Sequence, residues 1–121
     1  MFSGSVYGGV IDDTFGDVFD RKGEGVGLHC PSWDYYILVD MKEKTIKVYK
    51  EKNREILGTH KIIKETEIYI MGEDKTTSIN IFIDRHIYME DVVRVDYRKK
   101  GEDGKKGENR YTRCIVGEKV F

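Results

Sequence analysis

The stretch that decides the fold is "DYYILVDMKEKTIKVYK", residues 34–50. Two runs rich in β-branched and aromatic residues flank the polar connector "MKEK", which predicts a β-hairpin. In the second run Ile46 and Val48 alternate with Lys47 and Tyr49. A period of two is that of a strand with one buried face.

The same signal recurs further along. "TSINIFID", 77–84, sets Ile79, Ile81 and Ile83 against Ser78, Asn80 and Phe82. "DVVRVDYR", 91–98, sets Val93, Val95 and Tyr97 against Val92, Arg94 and Asp96. "ILGTHKII" and "TEIYIM" are further short apolar runs, "RYTRCIV" at 110–116 closes the pattern, and "EKNRE" and "GEDK" read as turns. "KKGEDGKKGEN" is polar and low in complexity, and reads as a mobile hairpin loop. No segment carries a long helical repeat. Short helices are expected only in "DDTFGDVFD" and near "RHIYMEDVV". The expected fold is mainly β: one domain, 1–121, a small antiparallel sheet or barrel-like domain of about six to eight strands with at most one or two short helices.

Composition limits the function classes. The 121 residues include 39% hydrophobic and 36% charged side chains, enough for one thin core, so a homo-oligomer is expected. The net charge of −1 gives no broad pull toward nucleic acid. No apolar run is long enough to cross a bilayer, and "MFSGSVYGG" is not a secretory signal. Cys30 and Cys114, the two cysteines, are expected as free thiols in a reducing cytosol, with a bridge between them as the alternative.

Motifs with chemical content are few. "KGEGVG", 22–27, looks like a phosphate loop, but Pro31 and a strand follow it rather than a helix and a Gly-Lys-Ser/Thr, so it reads as backbone leading into a strand. Asp12, Asp13, Asp17 and Asp20 lack the spacing of a calcium loop. His29, His60 and His86 show no zinc pairing, and no catalytic constellation, metal site or cofactor is assigned. The C-terminal third is the most distinctive part. Between Arg98 and Arg113 stand seven basic residues against three acidic ones, whereas residues 1–40 carry seven acids against Arg21 and Lys22. Arg110 and Arg113 are candidates to grip phosphate, and Phe82 and Tyr111 to stack on a base. In a regular strand Arg110 and Arg113 start on opposite faces.

With "SVYGGVIDD", "PSWDYYILVD", "INIFID" and "NRYTR", the chain resembles the first type of Thoeris anti-defence protein, a phage family. The resemblance implies a non-enzymatic sponge in the cytoplasm of the infected bacterial host. The implied ligand is a cyclic ADP-ribose isomer, held uncleaved where subunits of a dimer or hexamer meet, with cyclic oligonucleotides at separate sites in some relatives. It also implies that Phe82 stacks on the base and that Arg110 with Arg113 grips phosphate. Two alternatives stay open: a small RNA- or DNA-binding β domain using the basic 98–113 hairpin, and a hydrolase of the same cyclic nucleotides.

Overall fold

The computed structural model describes residues 25–87, 91–101 and 105–117. They form a closed, eight-stranded antiparallel barrel: β1 Gly25–Cys30, β2 Tyr35–Asp40, β3 Thr45–Lys50, β4 Ile56–Glu65, β5 Tyr69–Asp74, β6 Ile79–Asp84, β7 Val92–Lys99 and β8 Glu108–Gly117. Each strand pairs with the next in the chain, and β8 returns to β1. The expected small antiparallel β domain is therefore what the chain builds, in its fully closed form. Among the described residues the one helical element is the 3-10 turn Pro31–Trp33, and no helix is long and apolar enough to cross a membrane. The acidic segment "DDTFGDVFD" lies outside the described residues, as does part of "RHIYMEDVV".

Alternation is what fills the barrel. Val26 and Leu28, Ile37 and Val39, Ile46 and Val48, Ile81 and Ile83, and Val93 and Val95 are all buried. Their neighbours of opposite parity, such as Lys47, Phe82 and Arg94, point outward. Eight strands enclose an interior just wide enough for side chains or one small ligand.

Two expectations are corrected. The cysteines are not free: Cys30 at the end of β1 and Cys114 in β8 form a disulfide with Cα atoms 4.4 Å apart. The reason is register. β1 and β8 pair Leu28 with Val116 and His29 with Ile115, so the next step sets Cys30 opposite Cys114. Among the described residues that closing seam has three residue pairs, the shortest ladder in the barrel, against eight between β7 and β8. The bond cross-links the two strands that close the barrel.

The second correction concerns "GEDK". Gly72, Glu73 and Asp74 belong to β5, and the turn falls at 75–78 instead. Gly72 is there for space: a Cβ on it would stand 2.8 Å from Ile46 Cδ1 and 3.0 Å from His60 Cβ. Several non-glycine residues adopt the left-handed backbone, among them Asp34, Lys44, Arg54 and Ser78. Asp40 Oδ1 compensates at the β2–β3 turn by accepting from the amides of Lys42 and Glu43, and Asp74 Oδ1 accepts from that of Thr76. "KGEGVG" ends inside β1, where Gly27 pairs with Leu38 and Gly117.

Candidate functional site: the barrel mouth

One end of the barrel carries the connections 31–34, 51–55, 75–78 and the β7–β8 hairpin. Here β1, β3, β5 and β7 end and β2, β4, β6 and β8 begin. The interior is not closed at this end. A cavity of about 210 Å³ opens among Trp33, Tyr35 and Tyr97, the aliphatic chains of Ile37, Val48, Leu57, Ile79 and Ile81, and the polar residues His60, Asp74 and Thr77. Gly58 lines it too, and so places no side chain in the space.

Aromatic geometry shapes the rim. Trp33 packs edge-on against Tyr35 (6.4 Å between ring centroids) and against Tyr97 (6.2 Å). Strand pairing sets Arg110 opposite Tyr97, and the guanidinium lies 4.5 Å from the Tyr97 centroid and 5.6 Å from that of Trp33. Its ionic partner is Glu108 at 3.6 Å, an exposed pair of small energetic weight. With its planar face on two rings and its Nε toward Glu108, the guanidinium has its terminal N–H groups left to meet an anion.

At the cavity's inner wall stands His60. It has the inward parity of Ile62, is 3% exposed, and neither ring nitrogen has a hydrogen-bond partner among the described residues. Desolvation pushes its pKa below the ordinary histidine value, and the nearby Asp74 carboxylate offsets part of that shift. The ring is therefore neutral at pH 7, with one donor and one acceptor nitrogen. Both groups border Gly58: a Cβ there would sit 3.4 Å from Asp74 Oδ2 and 3.4 Å from His60 Cε1.

No protein-family model, curated protein or solved structure matches the chain.

The four residues singled out in the sequence do not form one cluster. Arg110 shares the inward parity of Thr112, Cys114 and Val116 and reaches the mouth, whereas Tyr111, Arg113 and Phe82 belong to the outer face. The β7–β8 register runs without a bulge, so nothing realigns Arg113 with Arg110. On the outer face Arg98 lies 4.3 Å above the Phe82 ring and Arg94 lies 4.1 Å above Tyr111. Asp96 holds both cations, accepting from Arg94 Nε at 2.8 Å and standing 3.8 Å from Arg98. The shallow groove beside them is lined by two arginines and by Asp84 and Asp96, so its charges balance. Phe82 already carries a cation on one face and Tyr69 beside it, 5.5 Å away.

Elsewhere, His29 points outward and contacts the Glu51 carboxylate, away from His60. Among the described residues no group of three His, Cys, Asp or Glu side chains could hold a metal ion. Sequence reasoning missed Trp33, Tyr97, Asp74 and His60 as site residues. The available signal was parity: His60 and Asp74 are polar residues in step with buried Ile62 and Ile70.

Proposed function

We propose that the protein is a binding module that holds a nucleotide-class small molecule at the barrel mouth and releases it unchanged. One observation carries this reading: Arg110 lies across Tyr97 and Trp33 at the rim of an aromatic-lined cavity. The rings offer a stacking surface to a base and the guanidinium offers a forked donor to phosphate. The volume sets the pose. About 210 Å³ lies below the range for a complete drug-sized ligand, so one ring system enters while sugar and phosphate stay at the rim.

The resemblance adds the finer terms. A cyclic ADP-ribose isomer is the expected ligand, sequestration the expected role, and a homo-oligomer in the host cytoplasm the expected form. Exposed Ile56 and Leu57, close to the mouth, offer a second copy an apolar contact. A cytoplasmic role requires the Cys30–Cys114 bond to withstand cellular thiols, and both cysteines are fully buried from such attack.

Calorimetric titration with cyclic ADP-ribose isomers, then heat release and chromatography of the ligand, tests the proposal. Saturable uptake and intact release are expected. A cleaved product would make the protein a hydrolase, and no uptake of any isomer would refute the reading.

A further inference from the structure

We infer that the ring entering the mouth bears an amino group, and that Asp74, on the β5 side of the cavity wall, accepts a hydrogen bond from it. The inference rests on the nucleotide-class reading and narrows it to ligands whose base carries an exocyclic amine.

Asp74 is the last residue of β5 and has the inward parity of buried Ile70 and Gly72. It is half-buried and lines the cavity. Its two carboxylate oxygens differ in what they meet. Oδ1 accepts from the Thr76 amide at 3.0 Å and so holds the β5–β6 turn. Oδ2 has no hydrogen-bond partner among the described residues, yet it is not sealed off. Among those residues the side-chain nitrogens and oxygens that are both buried and unpaired are the two of His60. Gly58, also in the lining, fixes where Oδ2 lies, because a Cβ on that glycine would stand 3.4 Å from it.

The charge at this place asks for a partner. Asparagine would make the same turn bond through its carbonyl oxygen and stay neutral. A carboxylate half-buried beside aliphatic and aromatic side chains loses part of its hydration, which is costly unless a donor replaces it. Among the described residues no lysine or arginine lines the cavity, and His60 is neutral at pH 7, so the wall supplies no cation. A donor brought in by the ligand fits. Arg110, on β8, stands three places from β5 in the ring of eight strands, so the two charges lie on different sides of the mouth. A nucleotide stacked on Tyr97 and Trp33 then meets the guanidinium with its phosphate and Asp74 with the edge of its base. The reverse pose would bring phosphate to the carboxylate, which like-charge repulsion opposes. A base edge with acceptors alone would set its lone pairs against those of Oδ2, so the site selects the amine.

The test compares AMP with purine riboside 5′-monophosphate, which differs only in lacking the 6-amino group. Wild-type protein is expected to bind AMP at least about tenfold more tightly. Asp74→Asn keeps the turn: the Thr76 amide still needs an acceptor and holds Oδ1, so the donor Nδ2 takes the place of Oδ2. In this variant the preference for AMP falls to within about threefold. Arg110→Ala weakens both compounds alike. Independently of any variant, the side-chain carboxyl ¹³C signal of Asp74 shifts when AMP is added to wild-type protein. Equal affinities in wild-type protein, a preference undiminished in Asp74→Asn, or an Asp74 signal that ignores bound AMP overturns the inference and leaves the nucleotide reading standing. If neither compound binds wild-type protein, the nucleotide reading falls and the inference with it.

Discussion

His60→Leu is expected to make the barrel more stable, an unusual outcome for a substitution at a 3% exposed position. The wild-type side chain buries two polar nitrogens without partners among the described residues. An unsatisfied buried polar group costs about 1–3 kcal/mol, and leucine, similar in volume, removes that cost and extends the aliphatic lining of Ile37, Val48 and Ile81. Taking a mid-range cost of about 2 kcal/mol, of which imperfect fit returns up to about 1 kcal/mol, the net gain is about 1–2 kcal/mol. For 121 residues the unfolding entropy is near 0.25 kcal/mol/K, so Tm rises by about 4–8 °C. The effect also depends on pH. Because folding lowers the His60 pKa, the unfolded chain takes up this proton more readily than the native barrel. The wild type therefore loses stability as pH falls below about 6.5 and through the folded-state pKa, and is free of this penalty above 6.5. His60→Leu lacks the loss, so its advantage widens on acidification. Thermal melts of both proteins from pH 8 to pH 5 measure this. An unchanged or lower Tm, with parallel pH profiles, would refute the claim that the His60 nitrogens are unsatisfied.

Reduction of the Cys30–Cys114 bond, which spans 84 residues of chain, should lower stability by about 4–5 kcal/mol on a chain-entropy estimate, read as the shift between denaturant curves with and without reductant. Gly72→Ala should destabilise by about 1–3 kcal/mol, because its Cβ meets Ile46 Cδ1 at 2.8 Å, and adding Ile46→Val, which deletes that atom, should recover much of the loss in thermal melts. Phe82→Ala should cost less than about 2 kcal/mol, against about 3–5 kcal/mol for a core phenylalanine, since the ring is half-buried on the outer face between Tyr69 and Arg98; calorimetric melting distinguishes the two.

The β2–β3 hairpin, β6 and β7 were legible because each buries one face and exposes the other, so the alternation of Ile46 and Val48 or Ile81 and Ile83 stands in the sequence. β1 was hidden. Gly25 and Gly27 occupy its alternate positions, and a strand without side chains at those places looks like a loop. β4 was blurred because Ile63, an outward position in regular alternation with buried His60 and Ile62, is itself apolar, so the pattern of buried and exposed faces is masked there. Closure and the disulfide depend on pairing residues 27–29 with 115–117, a long-range event with no local signature. At the site, "NRYTR" was conspicuous, but its proximity in sequence misleads: odd and even positions of β8 face opposite sides, so Arg110 joins Trp33 and Tyr97 while Tyr111 joins Arg94 outside. A mouth assembled from the ends of eight strands draws its residues from across the chain, and only closure shows which ones meet.

The location of binding is tested most directly by ¹⁵N NMR of the wild-type protein titrated with AMP. Base-in binding at the mouth predicts saturable shifts of the Trp33 indole N–H and the Arg110 Nε–H, which flank the cavity, with the Nε–H signals of Arg94 and Arg98 on the outer face unmoved. Shifts at Arg94 and Arg98 with Trp33 and Arg110 silent, or no saturable shift anywhere, would contradict it.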